Sequence, residues 1–189
     1  CIVSRRSRNR AGTRLFSRGI DELGNVSNYV ETEQVMVHEE TKTVGALVQI
    51  RGSIPTYWTQ LPDLRYKPPP TLGRNSSKEA CEKHFKELIE SYGSPVQCVS
   101  LVDLRGNELV LANEYKALVD HLQKEVKLNV KLEAFDFHHE TKRLHTEPAL
   151  AGLLERLTPS IKEVGYFLAG ENGTAAPTLT QKGCLRTNW

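Results

Sequence analysis

No apolar run in the 189 residues approaches the roughly 20 needed to cross a bilayer, and no charged-then-apolar leader is visible at the amino terminus. The sequence therefore reads as cytosolic. Methionine is nearly missing: Met36 is the only one and the chain opens on Cys1, so a piece of a longer protein is the expectation. Cysteine is scarce too. Cys1, Cys81, Cys98 and Cys184 lie far apart, without the close pair of a zinc site or a redox motif, so reduced thiols are expected, with no metal and no cofactor. Neither charge dominates, with 25 Lys and Arg against 23 Asp and Glu. Repeats and low-complexity tracts are absent, and 39% hydrophobic with 25% charged residues excludes disorder throughout.

What is present is local. Cys1 to Arg18 carry six arginines (Arg5, Arg6, Arg8, Arg10, Arg14, Arg18) and no acid. A guanidinium offers five donors in a planar fork that matches phosphate oxygens in pairs, so arginine used without lysine points to phosphate. A solvated basic arm or a nucleic-acid patch is the alternative for an isolated run. Aromatic interleaving and a recognisable reading module are both lacking, and no nucleic-acid partner is expected.

From Thr13 to about Gly52 the pattern is β-like, with three antiparallel strands expected around residues 14–20, 26–37 and 44–50 and turns at 21–25 and 38–42. Residues 61–78 hold Pro62, Pro68, Pro69 and Pro70 and read as a connection between a β-rich part (1–60) and an α/β part (79–189). Ser76 and Glu79 fit a capping box for a helix with Cys81, Phe85, Leu88, Ile89 and Tyr92 on one face, closed by Gly93 and Pro95. A strand over 96–102, a turn at Gly106-Asn107, a helix through Tyr115 to Val126 and a strand over 130–137 follow. Thr146 is expected to cap a helix that Pro159 ends or kinks, before strands over 165–169 and 178–185. This order predicts an α/β fold: an antiparallel amino-terminal part, then a mainly parallel sheet with crossover helices. Ligands of such sheets bind beyond the carboxyl ends of the strands, which directs attention to His138 and to Arg186-Thr187-Asn188. Glu31 and Glu33 share one strand face and read more simply as a solvated face than as an acid/base pair. Asp136 with His138 reads as a hydrogen-bonded structural pair without a third metal ligand.

Several blocks, Arg5 to Arg14, Arg18-Gly19-Ile20-Asp21, Asn28 to Gln34, Arg51-Gly52-Ser53-Ile54-Pro55 with Trp58 and Gln60, and Phe135-Asp136-Phe137-His138, together resemble the Sac-domain phosphoinositide phosphatases, the group that includes the synaptojanin amino-terminal domain. The resemblance runs from Cys1 to Asn188 in order. It implies a lipid phosphatase acting on inositol-ring phosphates of phosphatidylinositol phosphates at the cytosolic face of endomembranes, through a Cys-x5-Arg loop and a phosphocysteine. A thiolate at a helix amino terminus suits that chemistry, because the same backbone amides lower its pKa and bind phosphate.

The family's loop is introduced by Arg-x-Asn-Cys. Arg186, Thr187 and Asn188 match the entry, but Trp189 stands where the nucleophilic cysteine belongs. Cys184 cannot replace it, since Leu185 to Trp189 fill the five spacer positions and no arginine follows. No turnover is therefore expected of this chain, and the alternative is a catalytically dead phosphoinositide-binding or protein-interaction module. The resemblance makes Arg14, Arg18 and Arg51 candidate supports of the phosphate site. Asn28, Glu31 and Asp136 are further candidates, for which buried scaffolding is an equally good reading.

Overall fold

A computed structural model describes residues 1–12, 18–61, 68–170 and 176–188. Its centre is one mixed sheet of seven strands. Along it run β1 (Ile2–Arg6), β2 (Val30–His38), β3 (Thr43–Arg51), β9 (Cys184–Asn188), β6 (Val96–Ser100) and β7 (Val130–Ala134), in that order, with β8 (Phe167–Ala169) also paired to β3. β1, β2 and β3 are antiparallel, whereas β3, β9, β6 and β7 are mutually parallel. Trp58–Thr59 (β4) and Thr71–Leu72 (β5) form a separate small ribbon. The α/β architecture follows the sequence pattern, and the antiparallel and parallel parts share a single sheet.

Both faces of the parallel half are covered. Helices α1 (Lys78–Tyr92) and α2 (Leu109–Lys124) bury Cys81, Phe85, Leu88, Leu111, Tyr115 and Leu122 against Val96, Cys98, Val130 and Cys184. On the opposite face Val99 packs with Phe135 and with Ala149 and Leu153 of α4 (Thr146–Val164). All five residues of β6 are buried, which is why it reads as an unbroken strand rather than an alternating one.

The first strand is not where the pattern put it. It lies in the arginine run, at Ile2–Arg6, because Arg5 meets Glu31 and Glu33 on β2 and Ser4 meets Thr32. Of the expected 14–20 strand, residues 14–17 lie outside the described residues, and Ile20 forms only an isolated bridge with Val26. The capping box does not form: Ser77 precedes α1, and its hydroxyl instead pairs with Thr56 Oγ1 and accepts from Tyr57 N. The strand expected to reach Phe137 stops at Ala134. There Asp136 caps a further helix, α3 (Phe137–Leu144), accepting from His139 N at 3.0 Å.

Pro159 does not end α4, which runs on to Val164, while Thr158 Oγ1 donates to Leu154 O within the same stretch. His145, in a left-handed conformation (φ 62°), precedes that helix in place of Thr146. Gly106-Asn107 opens a short 3-10 turn that leads into α2. The last strand is Cys184–Asn188, and Leu179 only bridges to Leu168.

Candidate anion site at the carboxyl edge of the sheet

Because β1, β3, β9, β6 and β7 run the same way, their carboxyl ends, Arg6, Arg51, Asn188, Ser100 and Ala134, fall along one edge. The arginine-rich loop enters from that edge. Most of its guanidinium groups are already engaged by the protein itself. Arg5 forks onto Glu31 (2.9 Å) and Glu33 (3.2 Å). Arg6 donates to Gly12 O and to Asn28 Oδ1 at 2.9 Å. Arg10 donates to Ser27 Oγ and to Arg18 O, and Arg18 donates to Gln60 Oε1 at 2.6 Å while lying over the Trp58 ring. These arginines shape the loop rather than leave it a free basic arm. Arg8 and Arg51 are exposed and their guanidinium groups make no hydrogen bond or ion pair with the described residues, so they are cations this edge offers to an outside anion. Arg14 and Trp189 lie outside the described residues.

The other expected residues take varied places. Glu31 accepts from Arg5 and from the Tyr92 hydroxyl, which also meets Tyr29 OH at 3.2 Å, so it is bound into a polar chain between β2 and α1. Burial and the neighbouring Glu31 carboxylate push the Tyr92 phenol far up, and it stays protonated. Asp136 spends both oxygens on backbone, on His139 N and Leu104 N, which makes it a loop clamp. His138 Nδ1–H donates to Asp103 Oδ1 at 2.8 Å instead of to Asp136. Thr187 Oγ1 is 3.4 Å from Ile50 O.

Asn188, 1% exposed, donates to Ser100 Oγ at 3.2 Å, and its Oδ1 has no partner among the described residues. Arg186 does not face the edge at all. It is fully buried, directed at His84, Tyr115 and Ser53. The strand's alternation puts Cys184, Arg186 and Asn188 together on the inner face. His84, Tyr115, Ser53 and Ser100 were missed from the sequence as polar partners here. His84 falls in the same helical stripe as Cys81, Phe85 and Leu88, so its period was the available signal.

The edge presents cations and backbone but no reactive thiol. Cys81, Cys98 and Cys184 are free and buried, and burial pushes all three thiols up, Cys184 to about 12. Cys1 is the exposed one, at the opposite end of β1 from Arg6. Among the described residues, no three His, Cys, Asp or Glu side chains are grouped so as to hold a metal, and no helix is long and apolar enough to cross a membrane.

These features define a mixed-sheet α/β protein whose parallel half is covered on both faces and whose strand ends carry exposed arginines. Residues 1–142 match the SacI homology domain, and the chain belongs to that family. It is 43% identical over 188 residues to the phosphatidylinositol-3-phosphatase SAC1 of Drosophila melanogaster, covering 99% of this chain and 30% of that protein. It is 37% identical over 194 residues to the enzyme of the same name from Saccharomyces cerevisiae, with the same two coverages. The phosphoinositide phosphatase SAC6 of Arabidopsis thaliana is 37% identical over 188 residues, again at 99% and 30%. The chain thus spans about 30% of the length of the curated relatives it matches.

Proposed function

We propose that the chain is part of a phosphoinositide phosphatase domain, that it contributes the cationic carboxyl edge against which an inositol phosphate headgroup lies, and that the 189 residues alone bind without turnover. The observation that carries this reading is the similarity to phosphoinositide phosphatases across 99% of the chain; it is supported by Arg186-Thr187-Asn188, which end β9 at the sheet's carboxyl edge. Exposed Arg8 and Arg51 supply charge for phosphate oxygens. The substrate's lipid nature makes the working surface that of a membrane, at its cytosolic face. A second reading, a binding module without catalysis, is favoured by Trp189 at the nucleophile position and by the burial of every thiol except that of Cys1.

Flotation of the purified chain with vesicles containing phosphatidylinositol 4-phosphate, phosphatidylserine of matched charge, or neutral lipid alone tests the binding. Preference for the phosphoinositide, weakened by Arg8→Ala with Arg51→Ala, is expected; equal recovery on neutral vesicles sinks the reading. Phosphate release from the same lipid should stay at background, and measurable release overturns the claim of no turnover. A transcript that continues past Asn188 with a cysteine codon separates the phosphatase part from the binding module.

A further inference from the structure

Arg186 is a cation sealed inside the protein with neutral partners. Its side chain is 0% exposed; Nε donates to His84 Nε2 at 3.1 Å, Nη1 to Tyr115 OH at 3.3 Å and Nη2 to Ser53 O at 2.7 Å, and the Phe85 ring lies 5.8 Å away. His84 donates its Nδ1–H to Gly24 O, which leaves Nε2 as the acceptor that Arg186 needs. Burial and the Arg186 charge hold that imidazole well below its ordinary pKa, so it is neutral. Taking a guanidinium out of water costs several kcal/mol, and neutral acceptors offset only part of it. A well-packed apolar side chain of similar volume commonly does as well for stability. Stability is therefore a poor account of this residue, and its connections are a better one.

Those connections converge on Ser53. Its carbonyl accepts from Arg186, its N–H donates to Ser27 O at 3.0 Å, and its hydroxyl accepts from Gly19 N at 2.9 Å. Ser27 N closes the triangle on Gly19 O at 2.9 Å. From Ser27 the chain of bonds reaches the surface, because Ser27 Oγ accepts from Arg10, whose other end holds Arg18 O. Gly52 lets the backbone beside the guanidinium close on Val26: a Cβ there would meet Val26 Cγ2 at 2.9 Å, with Arg186 Nη2 in ordinary contact at 3.5 Å.

We propose that Arg186 is a positioning residue: through Ser53 it fixes the Gly19–Ser27 turn, and with it the arginine loop, relative to the carboxyl end of β9, so that both address one phosphorylated headgroup. The headgroup part rests on the function proposed above; the positioning part stands on its own.

The test compares the wild-type chain with Arg186→Met, which keeps the bulk, and Arg186→Lys, which keeps the charge. Amide hydrogen exchange is read at Gly19, Ser27 and Ser53, with Phe135 and Leu153, packed on the opposite face of the sheet, as internal controls. Arg186→Met should cut protection about tenfold at the three turn amides while leaving the controls unchanged, with Arg186→Lys in between, and should weaken recovery on phosphatidylinositol 4-phosphate vesicles by about tenfold. Unchanged turn amides, or an equal loss at turn and controls, overturn the proposal. Wild-type chain that ignores the vesicles sinks the functional reading, while the exchange data still decide the positioning. Should Arg186→Met fail to fold, the guanidinium of the wild type decides: Arg186 Nε–H must exchange far more slowly than that of exposed Arg8, and equal rates overturn the proposal.

Discussion

His121 on α2 meets Glu82 on α1 at 2.9 Å through Nε2, while its Nδ1 lies 3.0 Å from Glu125, so one imidazole stands between two carboxylates and ties two helices together. Both contacts favour the imidazolium. Glu82 and then Glu125 raise the His121 pKa, and the same contacts lower those of the two carboxyls.

The sign of the pH effect follows. The raised histidine contributes stability that is fully present below its unfolded value near 6.5 and is lost as pH climbs through the folded value. Lowered Glu82 and Glu125 contribute stability above about 4.5 that is lost as pH falls. His84 acts oppositely to His121: held neutral by burial, its contribution is present above 6.5 and fades as pH drops. A difference measurement isolates the helix clamp. The melting temperature of the wild type minus that of His121→Gln should be larger at pH 5.5 than at pH 8.5, and an equal gap at both removes the clamp from the account.

Thiol chemistry should be one-sided. Cys1 is exposed, whereas Cys81, Cys98 and Cys184 are buried with raised pKa values. An aromatic disulfide reagent near pH 8 should titrate one thiol in the native chain and four after denaturation. More than one fast-reacting thiol in the native state contradicts this packing.

Gly19 has φ +68°, and a Cβ there would stand 2.4 Å from Thr56 O. Gly19→Ala should destabilise the chain by about 1–3 kcal/mol, read as a lower urea midpoint at unchanged slope. A midpoint equal to that of the wild type refutes the tight approach of Gly19 to Thr56.

Much of the fold is legible where burial imposes a period. The one-sided stripe of α1 and the largely apolar, wholly buried β6 both reflect apolar neighbours on the faces they cover. β1 has no such signature, since its five residues are all exposed and its pairing comes from Arg5 meeting two acids on another strand. α3 has no buried residue to mark it and opens on a cap from Asp136 that no apolar period announces. The site was legible as motifs but not as orientations. Arg186 sits in a strand whose inner face the sequence does not label, and the fold turned an expected edge residue into a buried one. The arginine run carries the same lesson, because its partners Glu31, Asn28, Ser27 and Gln60 are 17 to 42 positions away and only the fold brings them together.

β9 lies between β3 and β6, yet it is made after both. A ribosome that has delivered residues 1–170 has produced an amino-terminal hairpin unit and a β6–β7 unit, each with an unpaired strand edge facing the gap. Only when Cys184–Asn188 emerges can β3 and β6 be joined in one continuous sheet, by pairings that span more than 80 residues to β6 and more than 130 to β3. Such long loop closures are slow and leave sticky edges exposed meanwhile. Nascent chains halted before residue 184 should therefore be the ones that chaperones hold.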